Sequence, residues 1–224
     1  TTDSAIKNLT HIETLSKSKR SFIFVQPNSF PKPWGTHPNF ISTADNQIID
    51  ELNNLSNVYY WTFVDVDKKY YHKWKRPIYT IPLAFDSINY KPTEDNKYNK
   101  YDISFVGGWA DNGFDEKKKI IIDVFSKFMN SGLKCGFFIN KNLSHYQECQ
   151  LLANSKMTLN IHDAYQRTLG LDTNERTFKS LGLNGLMVSD TVGQLNNLFP
   201  EILTSLNSDE LVKQTKFILS LTDG

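Results

Sequence analysis

The sequence predicts an α/β protein of Rossmann-like parallel-sheet domains, with the first domain incomplete or minimal. Three observations lead there. Short runs rich in β-branched and aromatic residues alternate with amphipathic helical stretches, a spacing that implies βαβ units with helices on both sheet faces. The 224 residues suffice for one large or two small domains, each burying a core. Apolar content of 39% and charged content of 22% are those of an ordinary globular chain.

Residues 4–18 carry Ile6, Leu9, Ile12 and Leu15 at helical spacing behind Ser4 as cap. The basic Lys17-Ser18-Lys19-Arg20 reads as that helix's solvated end. Residues 21–25 form a strand. Residues 26–38 hold four prolines and a glycine, so neither helix nor central strand survives there. Trp34 and His37 belong to this loop, which either lines an acceptor site or merely connects. A helix follows over 44–55, with Ile48, Ile49, Leu52 and Leu55 as its apolar face, then an aromatic-rich strand over 58–64. Residues 67–74 read as a short helix, and residues 78–82 as a strand closed by Pro82. The first domain therefore spans residues 1–90 with only about three strands. The polar, aperiodic stretch 91–100 is its linker.

Residues 101–224 make the second, nucleotide-binding domain. Strands are expected over 102–106, 133–139, 157–161 and 186–188, and helices over 116–129, 144–153 and 208–221. A polar loop leads from the strand at 157–161 into a further helix that opens at Asn174 and ends at a glycine turn.

Composition excludes several function classes. A formal net charge of +1 gives no overall footprint for nucleic acid or anionic membrane. One local exception is the run of Lys68, Lys69, Lys73, Lys75 and Arg76 among aromatics, which either serves phosphates and bases or is an exposed helix with its rings turned inward. No apolar run approaches the roughly 20 residues that span a bilayer, and the N-terminus lacks a signal-peptide apolar region. A cytoplasmic location is expected. Cys135 and Cys149 fit no metal or redox pattern and read as free thiols. The sequons at Asn8, Asn54 and Asn142 read as chance in so Asn-rich a chain. No metal-ligand spacing, nucleophile elbow or paired carboxylates are visible, so hydrolase and metalloenzyme chemistry lack support.

Three constellations remain. Gly107-Gly108 follows a strand and precedes a helix, as a backbone approach to phosphate or as a plain turn. Lys117 to Lys119 open that helix, within reach of a ligand or simply on the surface. Asn160 and His162 lie on one side of a strand near its carboxyl end, where open sheets bind ligands; His162 either hydrogen-bonds a sugar hydroxyl or phosphate or is a structural histidine of the strand end. Asn174-Glu175-Arg176-Thr177-Phe178-Lys179 opens a helix whose N-terminal amides suit phosphate, with Arg176 able to add a bidentate contact.

The series Ile81-Pro82-Leu83-Ala84-Phe85-Asp86, Asp102 to Gly108, Leu159-Asn160-Ile161-His162 and Asn174-x-Arg176-x-Phe178 followed by Gly185 to Asp190 resembles the CgeB-like group of glycosyltransferases. These are similar to group 1 nucleotide-sugar transferases of GT-B fold. The resemblance covers roughly residues 78–222. It implies a nucleoside-diphosphate sugar donor, taken as UDP-linked, with no other cofactor and no metal. It further implies retention of configuration and an acceptor bound by the first domain. That acceptor is a glycan, protein or small molecule before a nucleic acid. His162 and Arg176 are the implied catalytic residues; Gly107, Gly108, Asn160, Asn174, Glu175, Phe178 and Lys179 the implied donor contacts. Related enzymes commonly carry a ribose-binding glutamate directly after the phenylalanine, where this chain has Lys179. Lysine accepts no hydrogen bond, so Glu175 or Asp172 substitutes, the donor differs, or catalysis is lost. The last case leaves a sugar-nucleotide or glycan binding module. Oligomeric state is open.

Overall fold

The computed structural model describes residues 7–32, 45–92, 98, 100–109 and 116–222. Two compact units result, residues 1–82 and 83–224.

In the first unit, α1 (Leu9–Ser16) precedes β1 (Ser21–Phe24), α2 (Asn46–Asn54), β2 (Val58–Thr62) and β3 (Ile78–Thr80). The strands form a parallel sheet in the order β1-β2-β3. Asp45 caps α2 by accepting from the Gln47 amide. Ile48, Ile49 and Leu52 of α2 pack with Val58, Tyr60, Tyr71 and Trp74 in one core.

The helix expected at 67–74 is absent; turns replace it. Tertiary hydrogen bonds outbid the local ladder. Asn28 accepts from the Lys73 amide, its own amide donates to Tyr70, and the Trp74 indole donates to the Gln26 carbonyl. Trp34 and His37 lie outside the described residues, as does most of the expected linker.

The second unit runs β4 (Ile103–Gly107), α3 (Glu116–Met129), β5 (Cys135–Ile139), α4 (His145–Asn154), β6 (Met157–Asn160), α5 (Ala164–Leu169), α6 (Glu175–Leu183), β7 (Met187–Ser189), α7 (Gly193–Leu198) and α8 (Ser208–Thr222). Its four-stranded sheet is parallel, in the order β5-β4-β6-β7. This is the predicted Rossmann-like α/β architecture. Every residue of β6 and β7 is buried, as strands covered on both faces must be. Phe105, Ile121, Phe125, Phe128 and Leu159 join Leu211 and Leu219 of α8 in the main core. Each such side chain contributes about 1.5–3 kcal/mol of burial.

Two short helices, α5 and α7, replace what reads as loop. Asp163 and Gln166 form a capping box at the start of α5, and Gly170, at φ +71°, ends it. Residues 83–90, assigned by composition to the first domain, pack within the second unit. The Phe85 ring lies on Gly182 of α6 so closely that a Cβ there would clash. Tyr90 meets His145 edge to face at 4.1 Å.

Because the chain leaves β4 toward β5 and later returns to β6 on its other side, the strand order reverses between β4 and β6. A crevice opens at the carboxyl ends of strands where such a reversal occurs.

Candidate active site at the sheet reversal

The side chains that fill this crevice come from β4, β6 and the first turn of α6. Asn174 caps α6, its side-chain oxygen accepting from the Thr177 amide at 3.2 Å while its Nδ2 donates to the Ile161 carbonyl at 3.3 Å. This anchors the helix start against the end of β6 and aims Arg176 inward.

Arg176 bridges the two central strands. Its Nε donates to the Val106 carbonyl at 2.6 Å, and Nη1 donates to Asn160 Oδ1 at 3.2 Å and to the Ile161 carbonyl at 3.1 Å. The guanidinium carbon stands 4.5 Å over the Phe105 ring, a cation–π contact. Burial pulls its pKa below the ordinary value, opposed by the charges of Asp163, Glu148, Asp190 and Glu175. Nη2 has no hydrogen-bond partner among the described residues and points at Gly107, where any Cβ would collide with it. Gly107 thus leaves room for a cation, and its φ of +155° is a backbone conformation that residues with a side chain rarely adopt. Gly108 makes similar room for the Asn140 carboxamide.

A cavity of about 280 Å³ adjoins this turn, walled by Gly107, Gly108, Phe138, Asn140, Leu143 and Glu148. The arrangement is a concave, partly apolar wall ending at the two glycines, with Arg176 packed against Gly107. That combination suits a phosphorylated ligand with a flat organic part.

A model of a family described as glycosyl transferase-like matches residues 98–223. The chain belongs to this glycosyltransferase family. No curated protein and no solved structure matches the chain. The matched span holds the whole four-stranded sheet and every crevice residue named above, so the domain is one of sugar transfer, with a nucleotide-sugar donor and an acceptor as its substrates.

Within the transferase domain the remaining predicted residues divide into two groups. Asn160 and His162 are fully buried. Both ring nitrogens of His162 are engaged, Nδ1 with Asp190 Oδ1 at 2.6 Å and Nε2 with Thr173 Oγ1 at 2.8 Å. Neither is open to a ligand, so His162 stands behind the crevice. Phe178 is buried and packs edge to face on Phe199.

Glu175 and Lys179 lie on α6 one turn apart, where they pair at 3.0 Å. Lys179 also reaches Glu148 at 3.3 Å and the Tyr90 ring at 5.0 Å. Burial alone lowers its pKa, but the hydrogen bonds to Tyr90 and Glu175 and the charges of Glu148 and Glu175 outweigh this and leave it raised. Lys179 remains a cation. Asp172, the other substitute considered for a ribose carboxylate, is buried away from the cavity beneath Gln166 and Tyr165. Burial pushes its pKa up to about 6, against the pull of the Gln166 and Tyr165 hydrogen bonds.

Sequence reasoning missed Glu148, which alone among the carboxylates of the described residues lines the cavity. Its only signal was a position in the first turn of a well-capped helix. Lys117 is committed to Asp163 at 2.5 Å, and Lys118 stands 5.8 Å over the Trp109 ring.

In the basic patch at 68–76 rings turn inward and part of the charge is paired, while Lys68, Lys73 and Lys75 are exposed. Tyr71 and Trp74 are buried, Lys69 pairs with Asp67, and Arg76 donates to the carbonyls of Val58, Asn53 and Leu55. Among the described residues no cluster of three metal-ligating side chains occurs, and no helix is long and apolar enough to cross a membrane.

Proposed function

We propose that the chain is a CgeB-like transferase of GT-B type that moves a sugar, with retention, from a nucleoside-diphosphate donor, uridine diphosphate by preference. The carrying observation is Arg176. Its guanidinium is held by Val106, Asn160 and Ile161 while Nη2, without a hydrogen-bond partner among the described residues, stands over Gly107. The donor diphosphate lies against Gly107-Gly108, between Nη2 and the N-terminal amides of α6 that Asn174 positions. The nucleoside occupies the cavity beside it, with Phe138 as wall. Glu148 accepts the ribose hydroxyl hydrogen bonds that Lys179 cannot, and Lys179 with Glu175 holds that carboxylate in place.

When the bond from the anomeric carbon to the diphosphate oxygen breaks, negative charge grows on the leaving oxygen. Arg176 stabilises it without a metal, since a preorganised donor in a partly dry site costs no rearrangement. His162 acts through Asn160 and Arg176, not on the donor itself. The acceptor is a glycan, protein or small molecule. A cytoplasmic setting rests on Cys135 and Cys149 being free thiols.

Thermal-shift titration with a panel of nucleotide sugars tests donor binding, and turnover of the donor that binds tests Arg176. Arg176→Ala should lower kcat/KM at least about tenfold, the scale of one lost charge-assisted contact. Unchanged kinetics would remove the assignment. A second reading, a binding module without catalysis, is favoured by Lys179 standing at the expected ribose carboxylate and consuming Glu175 and Glu148. Donor binding without transfer or hydrolysis selects it.

A further inference from the structure

Behind Arg176 runs a row of buried polar side chains that donor binding does not itself require. Asp190, His162, Thr173, Thr177 and Asn160 are each at most 2% exposed. They come from the end of β7, the residues after β6, the approach to α6, α6 itself and β6. Each touches the next. His162 Nδ1 is 2.6 Å from Asp190 Oδ1, and His162 Nε2 is 2.8 Å from Thr173 Oγ1. Thr173 Oγ1 is 2.6 Å from Thr177 Oγ1, Asn160 Nδ2 is 2.9 Å from Thr177 Oγ1, and Arg176 Nη1 is 3.2 Å from Asn160 Oδ1.

Buried polar groups are costly unless every one is paired, and here donor counting gives the row a direction. A guanidinium only donates. Asn160 must therefore turn its oxygen to Arg176 and its amide to Thr177, since a flipped carboxamide would set two donors face to face. At the far end the Asp190 carboxylate only accepts, which puts the proton of a neutral His162 on Nδ1 and a lone pair on Nε2. Thr173 spends its one proton there, so Thr177, whose oxygen accepts from Asn160, sends its own to Thr173. Asn160 Nδ2, 3.5 Å from the same Nε2, requires the same lone pair. The imidazole proton on Nδ1 is donated to Asp190. That carboxylate also accepts the His162 amide at 3.1 Å and faces Arg167 Nε at 3.5 Å and the Ser189 hydroxyl at 3.4 Å, which keep it an acceptor.

We infer that Asp190, His162, Thr173, Thr177 and Asn160 are positioning residues, a one-way hydrogen-bond relay that holds the Arg176 guanidinium with Nη2 turned to Gly107. The Asp190 carboxylate sets its direction. What Arg176 then binds rests on the donor reading; the relay itself does not. The opposite tautomer, with the proton on Nε2, turns the Thr173 hydroxyl away from the ring. The Nε2 proton then faces the Asn160 amide 3.5 Å away, and Asn160 accepts it only by turning its oxygen there and that amide on Arg176. The side of Asn160 that meets Arg176 and the His162 tautomer are therefore coupled.

Nitrogen NMR reads both ends. In the wild-type chain the His162 imidazole should show a protonated Nδ1 and an unprotonated Nε2, and the Arg176 Nε–H should give a slowly exchanging signal from its bond to Val106. Thr177→Val cuts the relay, and the Arg176 Nε–H should then exchange at least about tenfold faster, the scale of one hydrogen bond to a charged group. Thr177→Ser restores the hydroxyl and should restore the signal, which a packing defect would not do. Inorganic pyrophosphate affinity should fall and recover in step.

The tautomer is read on the unmodified chain, so a Thr177→Val variant that fails to fold leaves the relay still exposed to refutation. A proton on His162 Nε2 in the wild type overturns the relay, as does an Arg176 Nε–H signal in Thr177→Val identical to wild type. If the wild type binds no pyrophosphate while Thr177→Val still frees the Nε–H, the donor reading falls and the relay stands.

Discussion

In the four-stranded sheet β6 and β7 are buried along their whole length, whereas among the described residues the three-stranded sheet fully buries side chains on one face and leaves the other half-buried to exposed. Val58, Tyr60 and Thr62 of β2 point into the core of the first unit and are at most 4% exposed. The residues alternating with them meet aromatic neighbours on the outer face. Phe22 stacks on Tyr59 at 5.4 Å and Phe24 meets Trp61 edge to face at 5.1 Å, yet Phe22 is 70% exposed and Tyr79 57% exposed. Both sheets are parallel and built from the same kind of residue. What differs is the covering layer, and the polar residues follow it. The doubly covered sheet buries Asn160, His162, Thr173, Thr177 and Asp190 together. A row of polar groups can be held in one geometry only where packing is complete and water is excluded, because each group must then pair with its neighbour. The half-covered sheet offers shape and apolar surface, with no comparable buried network among the described residues.

The widest gap should appear on truncating one phenylalanine from each sheet. Phe105→Ala removes a fully buried ring and the surface on which Arg176 rests. It should cost about 3–5 kcal/mol in urea unfolding, and donor affinity should fall with it. A loss below about 1 kcal/mol would mean that the second sheet is no better packed than the first.

The polar interior of the second unit is probed next by pH. Burial raises the Asp172 pKa from 3.8 to about 6, so the folded chain holds this proton where the unfolded chain has released it. Stability from this group is complete below the lower value and is lost as pH rises through the higher one. Asp172→Asn keeps an acceptor for Gln166 and Tyr165 and abolishes that loss. Relative to wild type, the variant should gain about 1–3 kcal/mol between pH 4 and pH 7. Parallel stability curves for the two proteins would contradict the burial of an ionised carboxylate.

The smallest effect belongs to the outer aromatic face. Phe22→Ser should change stability by no more than about 0.5 kcal/mol while reducing binding of a hydrophobic dye. A large destabilisation would show that this face is packed after all, and the contrast between the two sheets would vanish.

Much of the second unit was legible because its periods are long and clean. The helices at 116–129 and 208–221 and the strand ending at Gly107-Gly108 stand within a residue or so of their expected places. The helices α5 and α7, at six residues each, are too short for a 3.6-residue period to register. Residues 67–74 misled for the opposite reason. Their spacing suits a helix, but Asn28 and Gln26, more than forty positions away, take the hydrogen bonds. At the site, Arg176, Asn160 and the glycine pair were visible as residue types in plausible places. His162 was visible too, but as a side chain facing the ligand. Thr177 and Asp190 lay inside the stretches that carry the family resemblance and Glu148 in the first turn of a capped helix, but, like Thr173, without a sign of their roles, since a threonine or an acid becomes informative only through what it touches.

The sequence by itself determined the alternation of strand and helix, the parallel sheets and a phosphate-friendly helix opening at Asn174, because those properties depend on neighbours a few residues apart. The tertiary structure alone decided that β6 returns beside β4, which opens the crevice there and sets Arg176 across it. It also decided that Gly107 makes room for that guanidinium and that His162 is turned from the ligand toward Asp190. These are contacts between residues 11 to 70 positions apart in the chain, and only the packed sheet brings them within hydrogen-bonding distance.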